Sequence, residues 1–119
     1  MQMFIGGKHV DASDGKVSQV VNPATGQVID TVPEATLEDL DRAIALAVEG
    51  QKEWNAVPLH EREAIIEKYC QLLTAPDMVE KIAKVMCKEG GKPIEQCRTE
   101  VFANAAISRI YNAAAYTFY

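Results

Sequence analysis

Three cysteines and two histidines are the side chains of this 119-residue sequence best suited to chemistry. A thiol attacks as its thiolate, so a reactive cysteine needs a base or the positive end of a dipole beside it. Cys97 comes nearest: it sits close to a predicted helix start, with Arg98 adjacent. All three, Cys70, Cys87 and Cys97, fall on predicted helices, where small thiols read as core or boundary residues, Cys97 being the least inert. No C-x-x-C and no matching histidine pair exists, so zinc is not expected. His9 lies on a predicted strand, and His60 lies in the first turn of a predicted helix beside Glu61 and Arg62. Both read as solvated, and no spacing assembles a Ser/His/Asp set.

Glycines and acids offer two further chemistries. Gly90-Gly91-Lys92 suggests a phosphate cradle, but a P-loop follows a strand and continues with Ser or Thr. Here a helix precedes, and Pro93 stands in that place. Gly6-Gly7 lacks the G-x-G-x-x-G spacing. The acidic residues Glu34, Glu38, Asp39, Asp41 and Glu49 read as a solvated face with a helix N-terminal charge bias, not as a metal site.

The elements that would position these groups divide into strands and then helices. Residues 1–35 read as short strands: Met3–Ile5, Lys8–Val10, Val17–Val21 and Val28–Val32, with Asp14-Gly15 as a hairpin signal and Asn22 to Gly26 as a turn. Residues 36–119 read as helices. Thr36 is a good N-cap, and Leu37, Leu40, Ile44, Ala47 and Val48 share one helical face. Pro58 breaks the chain before a second helix from Leu59 to Leu73. A third begins at Pro76 and buries Val79, Ile82, Ala83 and Met86. The joint at Val85–Val101 follows: Gly90 and Gly91 can take positive φ and end the third helix. Pro93 suits the first position of a fourth helix, which carries Ile94, Cys97, Val101, Ala105, Tyr111, Ala115 and Phe118. With no linker and no repeat, one structural unit is expected. The fourth helix runs through Asn112–Tyr119 without Gly, Pro or a basic last turn, so the chain is expected to be the front piece of a longer protein.

Hydrophobic residues make up 48% of the chain, enough for a packed core. A net charge of −5 argues against nucleic acid and anionic membranes as partners. No run of about 18 apolar residues is present, so no membrane span is expected, and the start lacks signal-peptide features. An odd number of unpaired cysteines fits a reducing cytoplasm.

The pattern E-x-G-K-P followed by x-x-x-R-x-E-V resembles the N-terminal region of the NAD(P)-dependent aldehyde dehydrogenases. The likeness extends in order along the chain, through Phe4 to Lys8, Val21 to Gly26, Val32-Pro33 and Thr36, then Ala43, Ala47 and Trp54. It continues through Glu61-Arg62, Ile65-Ile66, Lys92-Pro93, Glu100-Val101 and Tyr111. The resemblance implies an α/β parent fold in which these helices pack on a dinucleotide-binding domain. It implies oxidation of an aldehyde to the acid by NAD or NADP, through a cysteine thiolate, an oxyanion site and a glutamate that activates water. Those groups lie downstream of this stretch in the family. The isolated chain is therefore expected to be inactive and to bind no cofactor, with no catalytic and no cofactor-binding residues of its own. Its expected partners are the remainder of such a chain and further copies of it.

Many members carry Thr where this chain has Gly90, and the Gly variant resembles the branch that handles lactaldehyde, glyceraldehyde phosphate or semialdehydes. Members with a structural monovalent cation use a carboxylate at the position of Glu100, with main-chain oxygens near Val20 and Val21; an exposed helix glutamate is the plainer reading. Two other readings compete: a stand-alone helical interaction module, and a small enzyme using Cys97 or His60. The isolated chain is expected to self-associate through its apolar helix faces, with Tyr116, Phe118 and Tyr119 gathered at the open end.

Overall fold

The structure, a computed structural model, describes residues 1–117. Phe118 and Tyr119, expected at the open end of the last helix, lie outside the described residues. In place of the single unit expected, the chain forms two compact units, Met1–Ala56 and Val57–Tyr119.

In the first unit, β1 (Met3–Ile5) and β2 (Lys8–Val10) pair antiparallel, with Phe4 opposite His9. Their turn uses Gly6 and Gly7 at φ of 58° and 77°. A Cβ on Gly6 would stand 2.8 Å from Leu46 Cδ1, so the bare glycine lets this turn approach α1 (Leu37–Ala56) closely. A second antiparallel pair joins β3 (Val17–Val21) to β4 (Val28–Pro33), from Val17 opposite Pro33 to Val21 opposite Val28. The Asn22 side chain accepts the Ala24 N–H at 2.9 Å, and the Gly26 N–H reaches the Asn22 carbonyl at 2.8 Å. This is the expected turn chemistry. The hairpin expected at Asp14-Gly15 does not form. A turn is there, with the Gly15 N–H on the Ala12 carbonyl at 2.9 Å, but β2 pairs with β1 and β3 with β4. Each strand already has a nearer partner across its own short turn.

The second unit is three helices. α2 spans Leu59–Leu73, α3 spans Pro76–Gly90, and α4 spans Ile94–Ala114, followed by a 3-10 turn at Ala115–Thr117. α4 packs on both α3 and α2. Its buried residues, Cys97, Val101 and Ala105, recur every four positions and form one stripe of small side chains. They meet Cys70 of α2 and Val79 and Ala83 of α3 in the buried set. Small residues on the central helix allow its two neighbours to approach closely.

The joint between α3 and α4 departs from expectation by one residue at each side. Gly90 is the last helical residue, and only Gly91 takes the left-handed conformation, at φ 67°, with its N–H on the Cys87 carbonyl at 3.0 Å. Pro93 is the N-cap rather than the first helical residue, and its carbonyl accepts the Gln96 and Cys97 N–H groups. Along α1, the apolar face remains open: Leu37 is 80% exposed, Leu40 50%, Ile44 54% and Val48 47%. Tyr111, expected among the apolar positions of α4, is 72% exposed.

Candidate functional site

The structure places Cys97 in the core, as the core-or-boundary reading of the cysteines has it. Its thiol is fully buried, and the Arg98 guanidinium turns outward to Glu80 at 2.5 and 2.9 Å and to Glu95. A thiol buried in this way has no access to a substrate. Cys70 is equally buried, and its S–H donates to the Ala105 carbonyl at 3.6 Å, tying α2 to the central helix. Cys87 is half-buried. His9 is exposed, with its ring 5.2 Å from that of Phe4 across the strand pair. His60 is exposed beside Glu61, at 3.9 Å. The third reading, an enzyme using Cys97 or His60, is weakened: one group is sealed, and the other stands exposed beside an exposed Glu61.

Glu100 carries an ion pair. Both of its carboxylate oxygens accept from Lys92 Nζ at 2.8 Å, and this contact raises the Lys92 pKa. Glu100 also lines a cavity of about 110 Å³ with Tyr69, Leu73, Met86, Val101 and Asn104. Val20 and Val21 belong to the first unit and Glu100 to the second. Among the described residues, no three His, Cys, Asp or Glu side chains gather as a metal site would require.

The best-organised polar centre is one that the sequence misrepresented. Asp39, expected on a solvated acidic face, is 1% exposed. Its Oδ2 accepts the Ser13 N–H at 3.0 Å, the Thr36 N–H at 3.1 Å and the Thr36 hydroxyl at 3.0 Å. Thr36 Oγ1 in turn accepts the Asp39 N–H at 3.1 Å, and Arg42 Nη2 donates to Oδ1 at 3.2 Å. These donors, the Ser13 and Thr36 N–H groups foremost, lower its pKa from 3.8 to about 2. Thr36 and Asp39 form a capping box, and Ser13 joins the loop after β2 to the same carboxylate. Thr-x-x-Asp before an apolar run was the available signal; the Ser13 contact had none, because it spans 26 residues. A carboxylate so fully donated to is fixed as an anion and serves as a pin, not as a proton carrier.

A second polar set closes the three-helix unit from outside. Glu67 on α2 takes Arg109 of α4 at 2.8 and 3.0 Å, which lowers the Glu67 pKa. Asn112 Nδ2 donates to the Glu63 carbonyl at 3.2 Å, and the Tyr116 hydroxyl donates to the Glu63 carboxylate at 2.5 Å. With Arg98–Glu80, these bonds link α4 to both neighbours.

The chain is similar to known proteins along nearly its whole length. The family profile described as "Aldehyde dehydrogenase family" matches residues 9–119. A malonate-semialdehyde dehydrogenase of Halalkalibacterium halodurans is 39% identical over 101 residues, which is 85% of this chain and 20% of that protein. The crystal structure of an aldehyde dehydrogenase from Brucella melitensis biovar abortus superposes on 99% of this chain and 24% of its own, with TM-score 0.92 and 32% identity. An NADP-dependent glyceraldehyde-3-phosphate dehydrogenase from Bacillus halodurans, complexed with NADP, has TM-score 0.90 and 27% identity over 96% of this chain and 24% of its own. The chain thus spans about a fifth to a quarter of the length of these relatives.

Proposed function

The chain belongs to the aldehyde dehydrogenase family, and from that premise we propose that it is the N-terminal portion of an NAD(P)-dependent enzyme oxidising an aldehyde to the carboxylic acid. The observation that carries this is the family profile over residues 9–119, supported by the superposition on the Brucella aldehyde dehydrogenase over 99% of the chain at TM-score 0.92. Its substrate class is a semialdehyde or lactaldehyde. The curated relative from Halalkalibacterium halodurans is named for malonate semialdehyde, and Gly90 suits the same branch.

The residues present do not fit a dinucleotide. Of the two glycine pairs followed by lysine, Gly6-Gly7-Lys8 turns β1 back into β2 and Gly90-Gly91-Lys92 joins α3 to α4 with Gly91 as the cap, so neither connects a strand to a helix as a dinucleotide cradle does. The chain's part is to supply helices that pack on the dinucleotide-binding domain. The apolar residues left exposed on α1, with Phe102, Ile107 and Ile110 on α4, are suited to that contact. Glu100 would serve as the ligand of a structural monovalent cation only after releasing Lys92. The parent enzyme is read as a cytoplasmic homo-oligomer, and no described helix is long and apolar enough to cross a membrane. The stand-alone interaction module is not favoured, since the family profile runs across nearly the whole chain.

A chimera tests this. The Halalkalibacterium halodurans enzyme, with its matching N-terminal region replaced by this chain, is expected to reduce NAD or NADP in the presence of malonate semialdehyde. A folded, soluble chimera without that activity would overturn the proposal. The 119-residue chain alone is expected to give no aldehyde-dependent reduction above a protein-free blank.

A further inference from the structure

No further inference is drawn: the strongest candidate, the exposed apolar stripe of Leu37, Leu40, Ile44 and Val48 along α1, carries nothing because the structure does not show what covers it beyond the packing already proposed.

Discussion

The two units of this chain are held together by opposite means. In Met1–Ala56 the only buried side chains among the described residues are Ala12 and Asp39, so the centre of the unit is a carboxylate with its donors. In the three-helix unit the centre is a stripe of small apolar residues and thiols, and its charges lie outside. Directional bonds can fix short strands and a loop that offer little apolar area. Helices with complementary faces bury area instead, and area carries most of the stabilisation. Within one stretch of a single family, the kind of element decides which force is central.

The sharpest way to break that contrast is to put a charge where the second unit has none. Val101→Asp would bury an unpaired carboxylate on α4, with an expected loss of about 3 kcal/mol or more. Amide exchange should show α3 and α4 losing protection. A variant as protected as the wild type would mean that the stripe is not the core. Ala105→Leu tests its tightness: overpacking costs about 1–3 kcal/mol, read as a lower urea midpoint. Cys97→Ser should lower stability by about 1–3 kcal/mol, since the buried hydroxyl must find a new partner. It should leave the turnover of an enzyme containing this chain almost unchanged. A several-fold fall in turnover with the fold intact would return Cys97 to chemistry.

The first unit should respond to its polar pin. Thr36→Ala removes one half of the capping box and is expected to cost about 1 kcal/mol. Asp39 adds a pH signature. Its folded pKa, about 2, lies below the ordinary 3.8, so its contribution is present above pH 3.8 and is lost as pH falls towards 2. Asp39→Asn should be the less stable protein at neutral pH and should lose less stability across that window. Parallel slopes for the two proteins would show that the pin does not stabilise the unit. The smallest effect is expected from Arg109→Gln. Its pair with Glu67 is solvent-exposed, so any shift in the midpoint should be slight and should fade with added salt.

The helix limits were largely legible along the chain. Pro58 before Leu59, and Pro76 at the head of α3, act within one turn of the residues they constrain, and α2 and α3 begin there. The Asn22–Gly26 turn was legible for the same reason. The family resemblance was legible because an ordered set of short motifs survives in linear order. What failed were questions of environment. The 3.6-residue period placed Leu37, Leu40, Ile44 and Val48 on one face but could not say whether anything covers that face. Asp14-Gly15 makes its turn, yet which strands pair depends on all the partners on offer. Asp39 looked like any acid in a first helical turn until Ser13, 26 residues away, closed over it. Local backbone preference is written residue by residue, and so the sequence alone determined where elements start and stop. Burial is a property of what arrives from elsewhere in the chain, so only the tertiary structure could decide that Cys97 is sealed and that Asp39 is the pin of the first unit.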